Sequence, residues 1–477
     1  MSTPSLASGP GGPNALRPLL ETVLDALAHG ARERGGPLPA GGPDAVAARV
    51  RAAVGDVLPR DGDPDALRTL VHVLAAGAAD PADPLCAAHL HCPPLAVAVA
   101  ADLAASALNP SLDSWDQAPA ASELEALVTR ALAREVYPGP PDAHGADALA
   151  TTGGTESNQL ALLLARETLG AGLRLVCGAN AHHSLPRAAR LLGLPEPVIV
   201  PAPAGTLDPA ALDEALTAVP GPWLVAVTAG TTDAGLIDPL PEIARLCRAH
   251  HARLHVDAAY GGGLLFSVRH RHLLTGLAAA DTVTLDLHKL GWQPVPAGLL
   301  AVRDAHDLGA LHQRADYLNA PDDTEAGLPD LLGRSLRTSR RPDVLKTAVT
   351  LKTLGRTGLG ALVDQVCDRA GEFAALVQNH PGFELYDRPT ISTVLFRPAR
   401  AADEAVAAVR RHLLDRGRAV LGRARLDGRL WLKATILNPH TRPADLTTLL
   451  TAVTEALRAG EPSPQRAQDL AEGNTPR

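Results

Sequence analysis

Short runs of valine and leucine alternate with helical stretches through the middle of the chain. The runs lie at residues 173–176, 197–200, 223–228, 253–257 and 282–287. Apolar runs of this length, separated by segments long enough for a helix, are typical of parallel strands in a sheet covered on both faces. The pattern therefore predicts an α/β fold built on a mainly parallel sheet.

The two ends of the chain follow different patterns. Between residues 15 and 79 apolar residues recur at helical spacing, which predicts a helical N-terminal segment. After about residue 360 a helix is followed by apolar runs at 393–396 and 431–437 and by a closing helix at 443–459. This order is typical of a small α+β domain.

These patterns divide the chain into five parts. Residues 1–14 are rich in Gly, Pro and Ser, and residues 461–477 are polar, so both are predicted to be disordered tails. Between the tails we expect a helical segment at 15–80, a large domain at 81–360 and a small domain at 361–460.

Two Asp-Pro pairs mark where helices of the large domain are expected to begin. They are Asp208-Pro209 and Asp238-Pro239. Asp can cap a helix and Pro can occupy the first helical position, so both carboxylates are predicted to be helix caps.

The composition restricts the classes of function. The net charge is −8 over 477 residues, and no long run of one sign occurs, which gives no electrostatic basis for binding nucleic acid or an anionic membrane. The five cysteines form no CxxC pair and no HExxH motif is present, so we expect no metal site and a reducing compartment. Because the N-terminus lacks the pattern of a signal peptide, we expect a cytoplasmic protein.

Two residues at the ends of apolar runs indicate cofactor chemistry. Lys289 is one of only four lysines, and its place after a strand puts it at the sheet edge where α/β proteins bind ligands. A lysine there can form a Schiff base with an aldehyde cofactor, although a surface lysine at a strand end is the alternative. Asp257 ends a second run, and pyridoxal 5'-phosphate (PLP) needs a carboxylate at its pyridine nitrogen. The alternative for Asp257 is a helix cap or a hydrogen-bonded core residue.

A Gly-rich turn and a histidine extend this constellation. The turn at 151–155 opens an apolar helix, whose first amides and dipole form an anion site, so Gly154 and Thr155 are predicted to hold a phosphate. His182 follows the run at 173–176 and is expected over the pocket, where stacking on a ring and proton transfer are both open to it.

Taken in chain order, these motifs resemble those of the group II PLP-dependent amino-acid decarboxylases. The sequence HVDAAYGG at 255–262 followed by DLHK at 286–289 carries the resemblance, which spans about residues 80–450. It implies the fold type I architecture of aspartate aminotransferase, with Lys289 bound to PLP and Asp257 at the pyridine nitrogen. The other contacts that it implies are Ala259 beneath the ring, His182 stacked on it, Thr228 beside the ring hydroxyl, and Gly154, Thr155 and His288 at the phosphate.

Within the family, HKLGWQPV at 288–295 and LKATILNPHT at 432–441 are most similar to the L-2,4-diaminobutyrate decarboxylase branch. The resemblance implies conversion of L-2,4-diaminobutyrate, or a similar diamino acid, to the amine and CO2. The distal ammonium of such a substrate requires an acidic partner, because an unpaired buried charge is costly. Asp113 and Asp116 are candidates for this partner, and capping or turn formation is their alternative role.

One position departs from the family pattern. Aromatic-acid decarboxylases carry a tyrosine on a mobile loop that protonates the substrate carbon, and Leu331 stands where this tyrosine is expected. Either Tyr317 or His182 is then expected to supply the proton, or the reaction ends in an aldehyde. An aromatic or acidic L-amino-acid decarboxylase and an aldehyde synthase on the same fold therefore stay open. Residues 319–333 are expected to form a flexible lid.

The resemblance also implies a homodimer with sites at the subunit boundary. Residues 335–341, SLRTSRR, are expected either to reach toward the phosphate of the neighbouring subunit or to form a solvated basic turn. The expected partners are thus an amino-acid substrate and a second copy of the chain, with no nucleic acid and no membrane.

Overall fold

The computed structural model describes residues 4–139 and 145–460, and these residues form two units. Of the described residues, the first unit contains 4–13, 90–139, 145–368 and Pro389–Ile391, and the second contains Asn14–His89, Arg369–Arg388 and 392–460. The predicted tail at 461–477 lies outside the described residues, as do the first three residues of the predicted tail at 1–14.

The helices follow the predicted alternation with strands. In chain order they are α1 Gly12–Arg34, α2 Gly42–Val54, α3 Ala66–Gly77, α4 Ala96–Leu108, α5 Pro119–Val136, α6 Gly154–Leu169, α7 Ser184–Leu191, α8 Pro209–Ala218, α9 Leu240–Ala249, α10 Leu287–Leu290, α11 Asp316–Asn319, α12 Pro321–Glu325, α13 Val344–Asn379, α14 Asp403–Asp415 and α15 Pro443–Gly460. Helix α1 begins inside the predicted N-terminal tail. Across residues 4–139 and 145–460, no helix has both the length and the apolar composition needed to cross a bilayer.

The first unit is built on a seven-stranded sheet. Its strands are β1 Asp147–Thr151, β2 Arg174–Gly178, β3 Val198–Val200, β4 Trp223–Thr228, β5 Arg253–Ala258, β6 Thr282–Asp286 and β7 Gly298–Val302. Their order is β1-β7-β6-β5-β4-β2-β3; β2 to β6 are paired in parallel, and β7 is antiparallel to both of its neighbours. This confirms the predicted α/β fold with a mainly parallel sheet.

Helices pack on this sheet, which explains why strands such as β4 and β7 carry apolar residues in succession. Every residue of β6 and β7 is buried. Leu160 and Leu164 of α6 pack with Leu149 and Leu300 of the sheet in one apolar cluster. Strands that are covered in this way need apolar side chains on successive residues rather than on alternate ones.

The strand register brings the ends of β4, β5 and β6 together. Thr228 is paired with Asp257, and Asp257 is paired with Thr284 on the other side. Strand β6 ends at Asp286, and the short helix α10 follows it directly. The carboxyl ends of these parallel strands therefore share one edge of the sheet, which is where ligands of such sheets bind.

One of the two predicted helix caps has a different role. Asp208 caps α8 as predicted, but the prediction for Asp238 was wrong. The buried carboxylate of Asp238 accepts hydrogen bonds from Asn180 Nδ2 and from the backbone N–H groups of Leu207 and Thr228, each at 2.8 Å. Burial raises the pKa of Asp238, and these hydrogen bonds oppose the rise. Asp238 therefore holds the end of β4 in place.

The second unit contains helices α1 to α3 and a four-stranded antiparallel sheet. The strands are β8 Phe383–Leu385, β9 Thr393–Pro398, β10 Gly422–Leu426 and β11 Arg429–Thr435, in the order β10-β11-β9-β8. Phe373, Phe396, Leu432 and Val453 belong to the apolar core that the sheet shares with the last helices. This is the α+β arrangement expected after residue 360.

Candidate active site

A cavity of about 300 Å³ lies at the edge of the sheet where β4, β5 and β6 end. All of the residues predicted to contact the cofactor line it: Gly154, Thr155, His182, Thr228, Asp257, Ala259, His288 and Lys289. They come from strand ends, from the start of α6, from the turn before α7 and from α10. Residues separated by more than 100 positions in sequence are thus brought to one site.

Asp257 is fixed at the base of this cavity. Its side chain is buried, with 5% of the residue exposed. Oδ2 accepts a hydrogen bond from Asn158 Nδ2 at 2.8 Å, and Oδ1 accepts one from the backbone N–H of Ala259 at 3.1 Å. A carboxylate held by two donors is pre-organised to pair with a cationic ring nitrogen.

The amine of Lys289 is held by a carboxylate that the sequence analysis had not assigned. Lys289 Nζ lies 2.9 Å from Asp286 Oδ2, and His288 Nε2 lies 3.5 Å from the same oxygen. Burial lowers the pKa of His288, and Asp286 opposes this effect. The sequence did contain a signal for Asp286, because this carboxylate ends the same apolar run three residues before Lys289.

The start of α6 provides a close approach to the backbone. A Cβ on Gly154 would lie 3.1 Å from Ala259 Cβ and 3.2 Å from Asp286 Oδ2, and a Cβ on Gly153 would lie 3.0 Å from His288 Cε1. No side chain caps α6 at Gly153, whose φ is 153°. The first amides of a helix have no partner within the helix, so they are available to an anion at this point.

His182 lies on the cavity wall, where burial favours the neutral ring. Its Nδ1 is 2.8 Å from Ser184 Oγ and accepts a hydrogen bond from the backbone N–H of Ser184 at 3.3 Å. Burial lowers the pKa of His182, whereas the nearby Asp257 raises it. A neutral imidazole can accept a proton, and the imidazolium that forms can donate it.

Three of the predicted site residues are not among the residues that line this cavity. Tyr317 is 80% exposed and lines a separate cavity beside Arg166. Asp113 is buried, with Oδ1 unpartnered among the described residues, and Asp116 accepts a hydrogen bond from the Ser114 hydroxyl at 2.5 Å. Their roles in proton transfer and substrate binding stay predictions.

The basic segment at 335–341 is only partly solvated. Arg340 is buried and forms an ion pair with the buried Glu125. Arg337 Nε lies 3.4 Å from Glu156 Oε1, at the start of α6. A wholly solvated turn is therefore excluded for Arg340, and the predicted reach toward a second subunit stays a prediction.

Comparison with known proteins identifies the family. The family model described as the pyridoxal-dependent decarboxylase conserved domain matches residues 61–399. The chain belongs to the pyridoxal-dependent decarboxylases. It is 40% identical to L-2,4-diaminobutyrate decarboxylase of Rhizobium meliloti, over 82% of this chain and 80% of that protein. To the enzyme of the same name from Acinetobacter baumannii it is 30% identical, over 77% of this chain and 78% of that protein.

Solved structures share the fold over nearly the whole chain. The crystal structure of the glutamate decarboxylase domain of diaminobutyrate-pyruvate transaminase and L-2,4-diaminobutyrate decarboxylase from Vibrio parahaemolyticus superimposes with a TM-score of 0.82. It is 30% identical and covers 95% of this chain and 98% of its own. Oryza sativa TDC, solved with PLP and tryptamine, has a TM-score of 0.85 at 24% identity, covering 95% of this chain and 99% of its own, which shows the common fold. The predicted fold type I architecture is confirmed.

The cavity of this pyridoxal-dependent decarboxylase fits PLP. Thr228 Oγ1 and Asp286 Oδ1 are buried and have no hydrogen-bond partner among the described residues. Buried polar atoms of this kind require a partner, and a polar cofactor supplies one. The backbone at Gly154 leaves space that a side chain would fill. A helix start that can bind a phosphate, a carboxylate and an amine thus surround one cavity, as PLP requires.

Proposed function

We propose that this decarboxylase acts on L-2,4-diaminobutyrate or a similar diamino acid. What supports the proposal is the 40% identity to the Rhizobium meliloti enzyme of that name, together with a cavity that retains Lys289, Asp257 and His182. The products are the corresponding diamine and CO2.

Different residues of the cavity would bind different parts of the cofactor. Lys289 is the amine that would hold PLP covalently, Asp257 would keep its ring nitrogen protonated, and the first amides of α6 at Gly154 and Thr155 would bind its phosphate. Bound PLP supplies a cationic ring that takes up electron density as the carboxylate leaves. The chain's part is to orient these groups before substrate arrives, which lowers the cost of reorganisation during the reaction.

We propose that His182, rather than Tyr317, handles the proton that replaces the carboxylate. His182 lines the cavity, whereas the Tyr317 phenol is exposed and lines another cavity. A general acid must lie within hydrogen-bond reach of the carbon it protonates, or be linked to it by one water.

The distal ammonium of the substrate needs a carboxylate, and Asp113 and Asp116 remain the candidates. Asp113 is supported by its unpartnered Oδ1, since a buried oxygen without a donor can accept from an ammonium. Asp116 already accepts from Ser114, so it has less capacity left. Replacement of the true partner by Asn is expected to raise KM for a diamino acid more than KM for a neutral amino acid.

We propose that the active form is a homodimer in the cytoplasm. Helices α1 and α3 expose leucines, which marks a surface that a second copy can cover. These leucines are Leu19, Leu24, Leu27, Leu67, Leu70 and Leu74. All five cysteines are free thiols, as in a reducing compartment. Sedimentation of the purified protein tests the assembly, and a monomer at working concentration would contradict it.

An aldehyde synthase is a second candidate function, because of Leu331. This residue stands at the position expected for the loop tyrosine and is buried against Leu112 and Ala118. Without a tyrosine there, a reactive carbon that is not protonated promptly can react with O2 and water, with release of an aldehyde, ammonia and hydrogen peroxide after CO2 has left.

One experiment separates these functions. The purified protein is loaded with PLP and given diaminobutyrate, ornithine, lysine, glutamate and tyrosine in turn, and CO2, amine and hydrogen peroxide are measured together. We expect CO2 and amine in equal amounts from diaminobutyrate, without peroxide. Equal CO2 and peroxide would instead establish the aldehyde synthase, and a preference for tyrosine or glutamate would refute the diamino substrate.

Lys289→Ala tests the assignment of the site directly. We expect this variant to lose both turnover and the absorption band of covalently held cofactor, because no other amine lines the cavity among the described residues. A variant with full turnover and an unchanged spectrum would overturn the role of Lys289.

A further inference from the structure

A buried hydrogen-bond network behind the cavity is centred on Asn158, which the sequence analysis did not single out. Asn158 lies on α6 and has no exposed surface. Its Nδ2 donates to Asp257 Oδ2 at 2.8 Å and to Ser184 Oγ at 2.9 Å. Its Oδ1 accepts from Thr284 Oγ1 at 2.9 Å and from His255 Nε2 at 3.0 Å. A side-chain amide has two donors and two acceptor sites, so all of the hydrogen-bonding capacity of Asn158 is satisfied.

The partners leave only one orientation for this amide. The reverse orientation would place Oδ1 against the Asp257 carboxylate, and two acceptors would then face each other without a proton. His255 therefore donates from Nε2, while its Nδ1 lies 2.9 Å from Thr282 Oγ1 and accepts from that hydroxyl. Burial lowers the pKa of His255 to about 4, which agrees with a neutral ring.

The hydrogen bonds of Asn158 also determine which nitrogen of His182 carries the proton. Ser184 Oγ accepts from Asn158, so its own proton is free to be donated to His182 Nδ1. The backbone N–H of Ser184 also points at Nδ1, which identifies this nitrogen as an acceptor. The proton of the neutral His182 ring is consequently on Nε2.

We propose that Asn158 is a positioning residue that holds the Asp257 carboxylate and, through Ser184, keeps His182 in the tautomer with its proton on Nε2. The inference rests on the proposed role of this cavity in holding PLP. Asn158 does not line the cavity itself. One buried amide thus controls both the carboxylate meant for the ring nitrogen and the imidazole on the cavity wall.

Two variants test the two parts of this role. In Asn158→Asp an oxygen replaces the donor toward Ser184, so the Ser184 hydroxyl turns toward residue 158 and only the backbone N–H of Ser184, at 3.3 Å, still donates to His182 Nδ1. In Asn158→Ala the carboxylate of Asp257 loses a charged hydrogen bond. Ser157→Ala is the matched control, because Ser157 is equally buried on α6 but bonds to Thr151 Oγ1 at 2.7 Å.

The tautomer is measured on cofactor-free protein by ¹⁵N NMR of labelled histidine, with His182 identified by the signals lost in His182→Gln. We expect the Nε2–H form in the wild type and in Ser157→Ala, and a larger share of the Nδ1–H form in Asn158→Asp. Titration of the cofactor-free variants with PLP is expected to show binding weakened about tenfold or more in Asn158→Ala and in Asn158→Asp. Ser157→Ala is expected to stay within about twofold of the wild type.

The outcomes separate this inference from the proposed function. A wild-type His182 protonated on Nδ1, or Asn158 variants that match Ser157→Ala in both readouts, would overturn the role of Asn158. Asn158→Asp preserves the shape of the side chain, so it decides the question by itself if Asn158→Ala does not fold. A wild type that takes up no PLP would overturn the proposed function, whereas the tautomer of the cofactor-free protein would still decide this inference.

Discussion

Protonation of His255 is expected to destabilise the first unit in acid. The ring has no exposed surface, and burial lowers its pKa from 6.5 to about 4, although Asp257 nearby opposes the shift. Between these two pH values the unfolded chain binds a proton that the folded chain does not. The stability that the neutral ring contributes is therefore complete above pH 6.5 and is lost as the pH falls toward 4.

The size of this effect follows from the two pKa values. A tenfold change in a protonation equilibrium is worth about 1.4 kcal/mol, so the shift of His255 corresponds to roughly 3 kcal/mol. His255→Gln keeps a side-chain donor for Asn158 Oδ1 but cannot take up a proton. We expect the apparent melting temperature of this variant to fall less steeply in acid than that of the wild type, with a difference on the order of 5 °C.

The assay is thermal unfolding of the cofactor-free protein at intervals from pH 7.5 to 4, compared between variants. His272→Gln is the control, because His272 is exposed and its ring bonds to the backbone carbonyl of Arg269 rather than to another side chain, in the part of the chain that the structure describes. Its pH dependence is expected to match the wild type. Parallel profiles for wild type and His255→Gln would refute the reasoning, since the buried ring would then contribute nothing to acid sensitivity.

Three further outcomes are expected. Gly154→Val should weaken PLP binding about tenfold or more in a titration followed by absorbance, because its Cβ would crowd Ala259, whereas Gly172→Ala, which meets open space, should match the wild type. Asp238→Ala should lower the apparent melting temperature by several degrees in scanning calorimetry, since it leaves the buried backbone N–H groups of Leu207 and Thr228 without this acceptor; an unchanged transition would contradict this. Tyr317→Phe should leave kcat within about twofold, because the phenol is exposed, and a large loss of turnover would restore Tyr317 as the proton donor.

The strands of the sheet differ in how far their sequences reveal them. The runs at 223–228 and 253–257 become β4 and β5, because strands buried on both faces need uninterrupted apolar residues. Strands β1 and β7 were not predicted. They are short, contain Ala or Gly, and pair with each other across about 150 residues of chain. A short segment of sequence carries no information about a partner strand that lies so far away along the chain.

The sequence by itself determined that the groups proposed for the chemistry meet at one edge of the sheet. Lys289 and Asp257 follow apolar runs directly, and parallel strands must end at a common edge, so their meeting could be predicted. Only the tertiary structure decided how these groups are held: Asn158 behind Asp257, Asp286 beside Lys289, and Asp238 as a support for β4 rather than a cap. The reason is physical, because a buried polar group takes its role from the hydrogen-bond partners that distant segments bring to it.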